Sequence, residues 1–131
     1  MNEPYSAQVI EHFAHPRNLG RLAEANGRGV AGDLRAGDVQ IEIAILVAGD
    51  RVAAARFRTF GCSAAIAASS VATTLIDGRA VAEAATLTPE AIITALGGLP
   101  ANKRYAPRLA AEAVHRAVAD WRARPTAQRM D

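Results

Sequence analysis

From Val39 to Val47 apolar residues stand at every second position, with Val39, Ile41, Ile43, Ile45 and Val47 on one face and Gln40, Glu42, Ala44 and Leu46 on the other. A helix would scatter these residues around its circumference, so the period of two marks a strand with one face turned to a core. Ala48-Gly49-Asp50 supplies turn residues, and Arg51 to Phe60 returns with Ala53, Ala55, Phe57 and Thr59 opposing Arg56 and Arg58. The two runs predict an antiparallel hairpin, and the rest of the chain must cover its apolar face.

The returning strand leads into Gly61-Cys62. Ser63 to Ile76 is then built from alanine and serine with Ile66, Val71 and Leu75, and Asp77-Gly78 closes it. That composition predicts a helix ended by a glycine suited to the position after the last turn, with side chains small enough to lie close against a sheet. Cys62 is the only cysteine of the chain. Behind a glycine and at the first turn of a helix, its thiol faces unpaired backbone N–H groups and the positive end of the helix dipole, both of which favour thiolate. A cysteine so placed is suited to attack or to bind metal; a lone cysteine can equally be a small buried hydrophobe.

The flanks are helical. Ser6 caps a short helix in which Val9, Ile10 and Phe13 share one face and Pro16 is the stop. Arg17 to Ala36 is rich in glycine and asparagine and reads as loop with one edge strand around Gly29 to Gly32. A short helix is expected over Val81 to Ala85, and Thr88-Pro89-Glu90 opens another that carries Ile92, Ile93 and Leu96 up to Gly97-Gly98. The loop Leu99 to Ala106 leads to a last helix from near Pro107. There Leu109, Ala113, Val114, Ala117, Val118 and Trp121 form the buried stripe, and Arg108, Glu112, Arg116 and Asp120 face water. Residues 1–125 are expected to form a single domain, with 126–131 a flexible tail.

Charge and composition exclude several classes. The formal net charge of +2 rests on arginine, since Lys103 is the only lysine, and the six aromatics (Tyr5, Phe13, Phe57, Phe60, Tyr105 and Trp121) are scattered. Neither a basic stripe nor a stacking platform for nucleic acid is present. One cysteine excludes an internal disulfide, and no apolar run has the form of a signal peptide or membrane span, so a cytoplasmic protein without a membrane partner is expected. No phosphate loop or nucleophile elbow occurs. His12 and His15, three apart, have weak ligand spacing and read as surface residues, and His115 reads as solvated. Asp38 suits a turn. Arg35, Arg56, Arg58, Lys103 and Arg104 could surround Cys62 if their loops converge, and would then favour its thiolate further.

Three separated stretches resemble one family. Tyr5-Ser6, Val9, His12-Phe13, Pro16-Arg17-Asn18 and Gly20 are similar to the N-terminal signature of the IscU/NifU/SufU iron–sulfur cluster scaffolds. Gly37-Asp38-Val39 and Ala55 to Cys62, continuing to Ala65-Ile66-Ala67 and Ser69-Ser70, resemble the two central motifs. Leu99-Pro100 and Lys103, with Leu109-Ala110 to Ala119-Asp120, match the C-terminal part. The resemblance implies an α+β fold, a small antiparallel sheet of about three strands with helices packed on one face. It also implies a non-enzymatic role in iron–sulfur cluster assembly. In that family three cysteines, an aspartate and sometimes a histidine hold zinc or a nascent [2Fe–2S] cluster, whose sulfur comes from a cysteine desulfurase.

This chain departs from the family where the ligands stand. The first family cysteine is Ala36, and the histidine and cysteine after the lysine are Tyr105 and Ala106, which leaves Cys62 and Asp38 as metal ligands. A [2Fe–2S] cluster normally takes four protein ligands. The chaperone-recognition motif Leu-Pro-Pro-Val-Lys reads Leu99-Pro100-Ala101-Asn102-Lys103, so Leu99, Pro100 and Lys103 are the partner-binding candidates. Three functions follow from the resemblance. Cys62 accepts a persulfide sulfur from the desulfurase, in the manner of the single-cysteine SufE proteins; or the chain binds and regulates assembly partners without chemistry of its own. In the third, two copies share iron, zinc or a [2Fe–2S] cluster through Cys62 and Asp38.

Overall fold

The computed structural model describes residues 5–36 and 39–125, so Asp38 and the tail expected over 126–131 lie outside the described residues. The elements are α1 (Ala7–Ala14), β1 (Gly27–Ala31), β2 (Gln40–Ala48), β3 (Arg51–Phe60), α2 (Ser63–Ile76), α3 (Val81–Ala84), α4 (Pro89–Ala95) and α5 (Tyr105–Ala123), with short 3-10 turns at Leu34–Ala36 and Ala101–Lys103. The three strands form one antiparallel sheet in the order β1-β2-β3. This is the α+β architecture that the resemblance implies.

Ile41, Ile43, Ile45 and Val47 of β2 are wholly buried, as the alternation predicts. On β3 the expected phase holds only over part of the strand. The register passes from Leu46↔Ala54 to Val47↔Val52, leaving Ala53 without a partner, so Val52 enters the core and Ala53 is exposed. A bulge of one residue reverses the face of everything beyond it.

Two long helices cover the Ile43 face. α2 lies along β3 and is buried over most of its length by alanines, Ser69, Ser70 and Thr73. α5 lies along β1 and β2. Its approach to β1 is backbone against backbone: a Cβ on Gly29 would fall 2.1 Å from the Ala113 carbonyl oxygen, and one on Gly27 would fall 2.6 Å from that of Ala117. The glycines that read as loop are thus the seat of a helix, and the edge strand starts at Gly27 rather than near Gly29.

α5 also closes the free edge of β1. The Arg28 N–H donates to Asp120 Oδ2 at 2.8 Å, and Arg116 Nη1 donates to the Val30 carbonyl at 2.7 Å. Arg116 and Asp120, expected simply to face water, therefore satisfy backbone groups that would otherwise invite another strand. Arg116 keeps its ion pair with Glu112 as well. The helix begins at Tyr105, two residues ahead of the expected start, because Pro107 in the first turn lacks an N–H that would have had no intrahelical acceptor there.

The smaller helices pack around this centre. Ser6 caps α1, its Oγ accepting from Val9 N–H at 3.0 Å and donating to the Leu96 carbonyl. Only Val9 of the expected α1 stripe is buried, and Ile10 and Phe13 are 57% and 47% exposed. Thr88 Oγ1 caps α4 by accepting from Ala91 N–H at 3.1 Å. Among the described residues no helix is long and apolar enough to cross a membrane.

Gly29→Ala drives a methyl group into the backbone of α5. We expect a loss of about 3 kcal/mol in urea denaturation, the upper end of overpacking costs. Unchanged stability would mean that α5 is not seated on β1.

Candidate functional site

β3 ends at Phe60, and the chain then turns sharply into α2. Gly61 has φ +156°, and a Cβ there would lie 2.7 Å from both methyl carbons of Val39, so only glycine passes this point without displacing the neighbouring chain. Cys62 follows as the N-cap residue of α2, and its carbonyl accepts from Ala65 and Ile66 N–H at 3.1 and 3.2 Å. The thiol is half-buried and no acidic residue stands in the first turn of α2.

The other wall of the site is the start of α5. Tyr105, its first residue, places Oη 2.7 Å from Cys62 Sγ. Residues from the starts of two helices therefore meet at one sulfur, Cys62 as the N-cap of α2 and Tyr105 as the first residue of α5. Burial pushes the Cys62 thiol up. The hydrogen bond with Tyr105, the Ala65 and Ala64 amides and the charge of Lys103 oppose it and together win, so the thiol ionises below its ordinary range. Burial, then the hydrogen bond and charge of Cys62, and last Tyr5, push the Tyr105 hydroxyl up to about 12. The phenol therefore holds its proton more firmly than the thiol does, and donates to the sulfur whenever Cys62 is ionised.

Of the five cations expected near Cys62, Lys103 acts on it. The others are engaged elsewhere: Arg35 with Asp33 at 3.7 Å, Arg58 with Glu42 at 2.8 Å, Arg56 with the Ala55 carbonyl at 2.8 Å, and Arg104 with the Leu99 carbonyl at 3.2 Å. Leu99 is buried, while Pro100 and Lys103 are half-buried beside the site. Ala106 is buried behind Tyr105. The described residues contain no group of three or more His, Cys, Asp and Glu side chains that could hold a metal ion.

The N-terminal motif turns out to be a strap. Ser70 Oγ accepts from Arg17 N–H at 2.8 Å and meets His12 Nδ1 at 2.7 Å, and Asn18 Nδ2 donates to Thr73 Oγ1 at 3.1 Å. Asn18, with φ +65°, accepts from Phe57 N–H through its carbonyl, and Gly20 N–H donates to the Phe57 carbonyl, both at 2.9 Å. The segment thereby ties the second half of α2 to Phe57 of β3, the two elements that flank the Gly61-Cys62 turn. His12 is accordingly half-buried rather than a plain surface residue; burial first and Arg17 second hold it below the ordinary histidine range, against the pull of Glu11. His15 is exposed, and His115, read as solvated, bonds the Leu87 carbonyl through Nε2 at 2.6 Å.

Sequence reasoning treated Tyr105 only as a lost ligand and missed its contact with Cys62. The available signal was a tyrosine directly after Lys103-Arg104 at a helix start. The polar Ser70 and Thr73 inside an alanine-rich helix were the corresponding signal for the strap.

Residues 4–128 match the sequence pattern of the NifU-like N terminal domain. The chain is 44% identical over 117 residues to iron–sulfur cluster assembly scaffold protein IscU 1 of Archaeoglobus fulgidus, covering 89% of this chain and 76% of that protein. It is 38% identical over 122 residues to the scaffold protein IscU of Aquifex aeolicus, covering 92% and 78%. In three dimensions it is similar to the N-terminal part of a NifU-like protein from Brucella abortus, with a TM-score of 0.68 at 14% identity, covering 92% of this chain and 95% of that one.

Tyr105→Phe removes the donor that favours the thiolate and leaves the burial that opposes it. The rate of Cys62 alkylation by iodoacetamide, followed against pH, is expected to have its midpoint at higher pH in the variant. A midpoint that stays put or falls would show that the phenol does not hold the thiolate.

Proposed function

The chain belongs to the NifU-like N-terminal domain family, and from that premise we propose that it serves iron–sulfur cluster assembly as a sulfur acceptor, with Cys62 taking a sulfane sulfur from a cysteine desulfurase. It is a scaffold-type protein rather than an enzyme, in keeping with relatives named as assembly scaffolds. A conventional cluster, as cargo, does not fit the donors at hand. Cys62 is the single thiolate, Tyr105 holds its proton, Ala106 offers no donor atom, and no three metal-binding side chains converge among the described residues.

One observation carries the proposal: a half-buried cysteine with Tyr105 Oη 2.7 Å from its sulfur and with Lys103 near enough to ease its ionisation. In the transfer, the Cys62 thiolate attacks the terminal sulfur of the donor's persulfide. A new S–S bond forms on Cys62, the donor's S–S bond breaks, and its electron pair leaves on the donor cysteine as thiolate, while the terminal sulfur carries its proton across. The same donors that favour the Cys62 thiolate suit the persulfide anion that forms when this proton is later lost.

A second reading keeps partner binding and drops the chemistry. The Leu99 to Lys103 loop favours it, since Leu99 is buried and Arg104 Nε bonds its carbonyl at 3.2 Å, which presents Pro100 and Lys103 in a fixed arrangement.

The experiment is intact-protein mass spectrometry, with parallel metal analysis, after anaerobic incubation with a cysteine desulfurase and cysteine. Wild type should gain one or more sulfur atoms and Cys62→Ser none. Sulfur retained on the serine variant would sink the proposal. Desulfurase binding without sulfur uptake would favour the partner-binding reading, and stoichiometric iron or zinc a site shared between two copies through Cys62 and Asp38.

A further inference from the structure

Arg104 and Arg108, four apart at the head of α5, lie on one face of the helix. They line a groove of about 360 Å³ against α4, whose other walls are Pro89, Glu90, Ile93 and Thr94. Tyr105, which directly follows Arg104, is the residue that touches Cys62. The groove therefore opens on the same helix start as the thiol.

We propose that this groove docks an acidic segment of the protein that exchanges sulfur with Cys62, with carboxylates on Arg104 and Arg108 and an aliphatic side chain on Ile93 and Pro89. The proposal rests on the reading of Cys62 as a sulfur acceptor, which requires a protein donor to seat itself beside the thiol.

Charge selects the occupant. Arg17, Arg35, Arg58, Arg116 and Arg124 each have a carboxylate within ion-pair distance. Lys103, Arg104 and Arg108 have none among the described residues, as is true also of Arg21, Arg28, Arg51, Arg56, Arg79 and Arg122; what sets Arg104 and Arg108 apart is that they share one groove at a helix start with no acid in its first turn. Arg104 spends only Nε, on the Leu99 carbonyl, which leaves the terminal nitrogens of its fork for a carboxylate. Ile93 and Pro89, half-buried, give the groove an apolar wall. Arginine beside apolar surface is the composition that anchors protein interfaces. A volume of this size accepts a few side chains of a segment, and the groove adjoins the Leu99 to Lys103 loop.

Glu90 is the one carboxylate of the lining and has no ion pair among the described residues. It opposes an acidic occupant, which makes its variant a test of sign: Glu90→Gln must strengthen binding of an acidic segment and weaken binding of a basic one.

The probe is a fluorescein-labelled decapeptide in which glutamates flank a single leucine, compared with its glutamine counterpart, titrated with the full chain at low salt and read by fluorescence anisotropy. We expect saturable binding that is at least tenfold weaker for the glutamine peptide, at least tenfold weaker for the folded Arg104→Gln/Arg108→Gln variant, and a few-fold tighter for Glu90→Gln. Absent binding, indifference to the two arginines, or weaker binding by Glu90→Gln would overturn the proposal. The peptide measurement involves no sulfur transfer. A failure of the sulfur-acceptor reading therefore shows separately, as wild-type Cys62 that gains no sulfur from the desulfurase.

Discussion

The contact on which the rest depends is the seating of α5 on β1 through Gly27 and Gly29. Without a Cβ at either position the helix backbone comes within reach of the strand backbone, and Ala113 and Ala117 lie where larger side chains would hold the two apart. Close approach then lets Asp120 and Arg116 reach the edge of β1 and satisfy its backbone. A helix so fixed along its length also has a fixed start. Tyr105 stands beside Cys62 because of glycines some eighty residues earlier in the chain.

At the thiol two physical effects compete. Half-burial favours the neutral form, while the Tyr105 hydroxyl, the Ala65 and Ala64 amides at the start of α2 and the charge of Lys103 favour the charged one. The second group wins, and no acidic residue in the first turn of either helix is set against it. Tyr105 matters here as a proton donor with no tendency to give its proton up, the opposite of what a metal-ligating side chain must do.

The two elements that flank the Cys62 turn are tied to each other. Ser70 and Thr73 of α2 take hydrogen bonds from Arg17 and Asn18, and Phe57 of β3 exchanges backbone bonds with Asn18 and Gly20. An N-terminal segment that resembles a family signature serves in this chain as a strap that keeps β3 and α2, the two elements on either side of Cys62, in one arrangement. Its polar groups are buried only because they are paired, which explains why an alanine-rich helix carries Ser70 and Thr73 on an inward face.

Local rules made much of this legible. The period of two gave β2 its core face. Small residues between Cys62 and Gly78 marked α2, and Thr88-Pro89 marked α4, because strand alternation, helix caps and side-chain size act over a few neighbouring residues. What lay beyond them depended on chain segments far apart. The bulge at Ala53 arises from pairing with β2, and β1 is a strand because it pairs with the other edge of β2 under α5. Exposure of Ile10 and Phe13 follows from α1 burying only Val9, and the reach of Lys103 but not of Arg35 or Arg58 to Cys62 follows from how loops and strands close. The sequence by itself determined that a single cysteine would stand at a glycine-led helix start; the tertiary structure decided that a tyrosine from another helix would hold it, because a hydrogen bond across forty-three residues exists only once both helices are seated on the sheet.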